Sequence, residues 1–191
     1  LRNRRQRQMC IRDSLKIDQK AWLKAYLKCL ENASRKTTPR LLNTIFFGGG
    51  TPSLMNPEVV SEIIDKIKSL WTVSNELEIT LEANPSSVEA NKFKDYQLAG
   101  INRLSVGVQA LNNVDLKRLG RLHSATEAIN AVEISNSIFS QTSFDLIYAR
   151  QDQTIDEWSA ELERALRLQT GHISLYQLTI EQGTAFDSLY K

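Results

Sequence analysis

The sequence predicts an α/β fold on a mainly parallel sheet, from three observations. From residue 18 onward, short β-branched and aromatic runs alternate with amphipathic helical patterns. Each run is separated from the next by a helix-length segment, the connection a parallel pair needs in order to return to the same edge. No internal repeat and no linker divides the chain, so residues 18–191 read as one domain preceded by an arm, residues 1–17. Two architectures satisfy this order: an open doubly wound sheet, or part of a (β/α) barrel.

The elements follow in sequence. Ala21, Trp22, Ala25, Tyr26, Cys29 and Leu30 share one face of a 3.6-residue period, which predicts a first helix with Cys29 buried as a small apolar group. Asn43–Phe47 predicts a strand, stopped by Gly48-Gly49-Gly50. Val59, Val60, Ile63, Ile64, Ile67 and Leu70 predict a helix entered through Asn56 and Pro57. Strands are then expected at Leu77–Leu81, Arg103–Val108, Phe144–Tyr148 and Ile173–Leu178. Helices are expected at Val88–Ala99, Leu111–Leu119, Ala125–Ile134 and Ile155–Leu168.

Composition narrows the class. With 41% apolar and 24% charged residues the chain has the makeup of an ordinary globular domain, which excludes a disordered or fibrous protein. No apolar run approaches the ~18 residues of a membrane span, and no leader pattern opens the sequence, so a cytoplasmic address is expected. The net charge of +2 conceals an asymmetry. Arg2, Arg4, Arg5, Arg7, Arg12 and Lys16 face Asp13 alone in the arm, so the folded body is acidic. The arm lacks interleaved aromatics and any base-reading motif, so it is read as solvated and not as a nucleic-acid partner. Two cysteines, Cys10 and Cys29, form neither a CxxC nor a zinc pattern.

Ligands of parallel α/β folds bind at the carboxyl ends of the strands, and the unusual residues of this chain fall there. After the first strand, Gly48-Gly49-Gly50-Thr51-Pro52-Ser53 strips Cβ atoms from a stretch of backbone and lets its N–H groups approach a ligand. It is neither a P-loop nor a GxGxxG turn. Glu82 ends the second strand in Glu82-Ala83-Asn84-Pro85, and Gln109 ends the third. Arg121 follows in Leu119-Gly120-Arg121-Leu122-His123. Asp145 interrupts an apolar strand, where a carboxylate facing inward requires a partner or a ligand and one facing away caps a neighbouring loop. His123 and His172 make no HxxxH pair, and no GxSxG elbow is present, which argues against zinc chemistry and serine hydrolysis.

These motifs, together with Gly100–Gln109, Asp145-Leu146-Ile147-Tyr148 and Ser174–Glu181, stand in an order that closely resembles the radical S-adenosylmethionine family of oxygen-independent coproporphyrinogen III oxidases and their heme-chaperone relatives. The Phe46-Phe47 pair and the Leu175–Glu181 ending look more like the heme-chaperone branch. The resemblance implies a partial (β/α) barrel of radical-SAM type, its first strand missing, that holds S-adenosylmethionine at its mouth. It implies that Gly48, Gly49, Gly50 and Thr51 meet the methionine moiety and that Glu82, Gln109, Arg121 and Asp145 contact one or two bound S-adenosylmethionine molecules. The implied cargo is heme, and the implied partner a respiratory heme-acceptor protein.

One departure limits the implied chemistry. The family carries a Cys-xxx-Cys-xx-Cys loop whose thiolates hold a 4Fe–4S cluster, and here the basic arm with Cys10 occupies that place. Two cysteines do not supply three ligands, so no S-adenosylmethionine cleavage is expected of this chain, and it reads as an incomplete version of a longer protein. Three other readings stand beside the chaperone one: the coproporphyrinogen oxidase itself, a cluster-less small-molecule binding protein, and an unrelated (β/α) barrel enzyme for phosphorylated substrates.

Overall fold

A computed structural model describes residues 17–168, 171–183 and 187. The basic arm of the sequence reading lies almost wholly outside these residues. Five strands, β1 (Leu41–Phe47), β2 (Thr72–Ala83), β3 (Arg103–Gln109), β4 (Gln141–Tyr148) and β5 (His172–Gln177), pair in chain order and every pair is parallel. The order never reverses. A doubly wound sheet reverses at its switch point, whereas a (β/α) barrel does not, so this sheet is a barrel segment.

Seven helices connect or flank the strands: α1 (Gln19–Lys36), α2 (Pro57–Leu70), α3 (Ser87–Ala90), α4 (Phe93–Leu98), α5 (Asn113–Arg118), α6 (Ala125–Ile138) and α7 (Ile155–Leu166), among the described residues. The strand period of two divides the side chains into two sets. Ile79 and Leu81 of β2, Leu104 and Val106 of β3, and Phe144 and Leu146 of β4 join Val60 and Ile64 of α2 and Phe93 of α4 in one core. The alternate positions, Thr80 and Glu82, Ser105 and Gly107, Ser143 and Asp145, form the opposite, polar face.

Three elements depart from the sequence expectation. The helix expected over Val88–Ala99 is broken into α3 and α4 at Asn91-Lys92. The break lets both Glu89 and Tyr96 reach one residue, Ser53: the Ser53 hydroxyl donates to Glu89, and the Tyr96 hydroxyl donates to the carbonyls of Ser53 at 2.6 Å and Met55 at 2.9 Å. A straight helix spaces these two residues about 10.5 Å apart along its axis. Strand β2 begins at Thr72, ahead of Leu77, because an irregular stretch lets Thr72 and Val73 pair Leu41 and Leu42 before the regular ladder resumes at Glu78.

The third departure is Cys29, which is exposed and not buried. Helix α1 is rotated relative to the face its aromatics suggest. It leans on the body through Leu23 and Leu30, and Gln19 ties it to the Leu54 carbonyl at 3.1 Å. Glu31 pairs with Lys66 of α2 at 2.6 Å, which holds the Glu31 carboxyl below its usual range. Trp22 and Tyr26 consequently face outward, at 55% and 42% exposure, stacked on each other.

Tyr96 is buried, and burial, then Glu89 and Asp95, push its hydroxyl far above its ordinary pKa, so it remains a donor. Tyr96→Phe leaves two carbonyls short of that donor. The expected loss is about 1–3 kcal/mol of stability, measured as a lower urea midpoint with an unchanged slope.

Candidate functional site

The carboxyl ends of β1 and β2 build the first half of the site. Gly49 and Gly50 have φ of 78° and 58°, the left-handed region that only glycine enters freely. A Cβ built on either residue meets nothing within 4 Å, so the space over this loop is open. The Gly49 N–H donates to Glu82 Oε2 at 3.1 Å, which joins the glycine loop to the end of the second strand. The far end of the loop is pinned: Pro52–Leu54 form one 3₁₀ turn, and buried Glu89 accepts from the Ser53 hydroxyl and from Asn84 N at 2.9 Å. One carboxylate thus welds the loop after β1 to the loop after β2.

The second half lies over β3 and β4. Gln109 is buried with φ of 64°, and Ala110 N donates to the Val108 carbonyl at 2.9 Å, which closes a γ-turn of the rarer, strained hand. The Gln109 Nε2 group donates to both oxygens of Asp145, at 3.2 Å each. A Cβ at Gly107 would stand 2.8 Å from that nitrogen, so the glycine makes room for the side chain. Gln109 Oε1 is buried without a partner. An orphaned buried acceptor costs roughly 1–3 kcal/mol, the situation of a group arranged for a donor from elsewhere.

Electrostatics mark the same place. Burial raises the Asp145 carboxyl above its usual range, against the pull of the Gln109 amide and of Arg121. Burial also lowers the Arg121 pKa, and the Asp145 charge opposes that shift, so the two groups attract each other. His123 is held below its usual value, first by burial and also by Arg121.

Every strand-end residue singled out from the sequence lies at this rim, in two groups. Gly48, Gly49, Gly50 and Thr51 stand with Glu82, while Gln109 and Arg121 stand with Asp145. The register places Glu82, Ser105 and Ser143 in one row across β2, β3 and β4, two strand steps or about 10 Å. The floor between the two acidic groups is therefore small and polar. Such a cleft supplies two carboxylates, an amide oxygen, a guanidinium and bare backbone N–H groups. It suits a ligand that carries a cationic group, hydroxyls and a carboxylate together.

Sequence reasoning missed Glu89, Ser53 and Tyr96, which touch across more than 35 residues of chain. The Ser86-x-x-Glu89 spacing signals a helix start, and Ser86 does accept from Glu89 N, but nothing local reveals where the carboxylate points. It also missed Arg150, buried between Asp115 and Glu161. That network borders a cavity of about 630 Å³ between α5, the loop after β4 and α7, which shares no residue with the strand-end positions. No group of three His, Cys, Asp or Glu residues able to hold a metal occurs among the described residues. No helix there is long and apolar enough to cross a membrane.

Because Asp145 has a raised pKa in the folded state, the fold binds that proton more tightly than the unfolded chain does and loses stability as pH rises through the raised value. Asp145→Asn removes this penalty. Its thermal midpoint is expected above wild type at pH 7, with the gap narrowing as pH falls through the carboxylate range; a gap independent of pH would contradict the assignment.

The family described as "Radical SAM superfamily" matches residues 16–165. The Escherichia coli (strain K12) protein named "Heme chaperone HemW" is 40% identical over 163 residues, covering 85% of this chain and 43% of that protein. The protein of the same name from Haemophilus influenzae is 45% identical over 148 residues, 77% of this chain and 39% of the relative. The chain thus spans less than half the length of these relatives. Among solved structures, the coproporphyrinogen III oxidase HemN of Escherichia coli superposes with a TM-score of 0.74 at 23% identity, over 84% of this chain and 37% of that one. At that identity the likeness speaks for the fold, a partial radical-SAM (β/α) barrel. With the match running from before α1 nearly to the end of α7, this chain belongs to the radical SAM superfamily.

Proposed function

We propose that the rim of the half-barrel binds S-adenosylmethionine, within a protein that binds heme and delivers it to a respiratory acceptor. The observation that carries the reading is the pairing of an open glycine loop, tied to Glu82, with buried Gln109, whose amide nitrogen donates to partly buried Asp145 and whose amide oxygen lacks a donor. S-adenosylmethionine carries an amine, a sulfonium, a carboxylate and ribose hydroxyls. Glu82 and Asp145 attract its cationic and hydroxyl groups, Arg121 its carboxylate, and Gln109 Oε1 accepts a hydrogen bond. The backbone of Gly48, Gly49, Gly50 and Thr51 meets its methionine end. These residues bind and orient the molecule; its one-electron cleavage would need an electron from a reductant, in the family a 4Fe–4S cluster.

A 4Fe–4S cluster does not fit these residues. Of the two cysteines, Cys29 lies exposed on α1, and Cys10 lies outside the described residues. The 191 residues themselves do not supply the three thiolates such a cluster needs.

Heme as cargo rests on the name of the two relatives at 40% and 45% identity. The coproporphyrinogen oxidase reading rests on a structural likeness at 23% identity, which is the weaker support. Equilibrium dialysis with S-adenosylmethionine tests the pocket. Glu82→Ala is expected to weaken binding roughly 10- to 100-fold, the worth of a charge-assisted contact. Titration with hemin, followed at the Soret band, tests the cargo. Failure of the wild-type chain to bind S-adenosylmethionine would sink the pocket assignment, and an unshifted Soret band the heme assignment.

A further inference from the structure

The strained turn at Gln109 has a second support besides its own backbone bond. His123 Nε2 lies 3.2 Å from the Val108 carbonyl, the same oxygen that receives Ala110 N–H. A carbonyl only accepts, so the ring nitrogen facing it carries the hydrogen. Both lone pairs of Val108 O are then engaged, one by each donor. We propose that His123 is a positioning residue: by donating Nε2–H to the Val108 carbonyl it fixes the peptide entering Gln109, holds the left-handed turn, and so aims the Gln109 amide.

Four observations converge on this role. A non-glycine residue at φ of 64° persists only where its surroundings over-determine it, and the imidazole is such a constraint from outside the turn. With the turn set, the side chain lies in the space left by Gly107, its Nε2 group on both oxygens of Asp145. The amide orientation follows, because the reverse one would set Oε1 against a carboxylate. Oε1 is thereby left as the acceptor without a donor.

His123 is delivered to this place by the end of α5. Gly120 adopts φ of 70°, and Arg121 N donates to the Leu116 carbonyl at 2.8 Å, which closes the helix with a left-handed cap. The cap sends the chain back across the rim, so one short segment supplies both the Arg121 charge beside Asp145 and the His123 donor beneath Gln109. The ligand part of the test rests on the S-adenosylmethionine reading above; the geometric part does not.

Long-range ¹H–¹⁵N correlation of the wild-type chain is expected to show His123 in the Nε2–H tautomer; the Nδ1–H tautomer overturns the proposal without any variant. His123→Gln, whose amide nitrogen reaches the same carbonyl, is expected to keep the Gln109 side-chain resonances, and His123→Asn, which is too short, to shift them. Unmoved Gln109 resonances in His123→Asn overturn it as well. In S-adenosylmethionine binding, His123→Asn and Gln109→Ala are expected to lose affinity alike, with no further loss in the double variant and with rescue by His123→Gln. Losses that multiply in the double variant mean that His123 acts apart from Gln109 and overturn the proposal. If wild type binds no S-adenosylmethionine, the pocket reading fails, and the tautomer and resonances still decide the positioning role.

Discussion

A sheet that is parallel throughout, with strands in chain order, ends every strand on the same rim. All the remaining features of this protein follow from that constraint. Helices fill the return paths and cover one face with an apolar core, so the other face is free to be polar. The loops leaving β1, β2, β3 and β4 are brought side by side although they are far apart in the sequence. Whatever chemistry the chain carries collects there because the topology leaves it no other common place.

Bringing the loops together does not by itself hold them in shape, and here polar side chains do so, from buried Glu89 to exposed Asn102. Glu89 accepts from Ser53 and Asn84 and joins two loops through one carboxylate. The amide of Asn102 bridges the Leu77 carbonyl and Ile79 N at 2.7 Å each, and so continues the β2–β3 ladder below its first backbone pair. His123 does the equivalent at the Val108 carbonyl. Each pairs backbone groups that would be costly to leave unsatisfied, and so fixes the backbone it touches.

The second half of the rim shows the opposite energetic choice. Asp145 is partly buried at a cost and only partly compensated by an amide and a nearby guanidinium, while Gln109 keeps an unfilled acceptor. The outer Arg150–Glu161–Asp115 network gives a buried arginine two carboxylates and the Ile147 carbonyl at 2.7 Å, and leaves its Nε without a partner. The network secures the loop after β4, while the Gln109–Asp145 pair leaves an acceptor unfilled at the rim.

The sequence by itself determined the element order, the parallel class, the glycine loop, the strand-end positions of Glu82 and Gln109 and the place of Asp145 within an apolar strand, because periodicity and glycine runs are local properties. It misread what depends on contacts. The aromatic stripe of α1 suggested a buried Cys29, but the helix packs on Leu23 and Leu30. The continuous period over Val88–Ala99 suggested one helix, but two anchors on Ser53 divide it. Tertiary structure alone decided that Gln109 turns left-handed to meet Asp145, 36 residues away, and that His123 stands beneath it. Such pairings arise when the sheet sets distant residues in register, and no pattern along the chain encodes them.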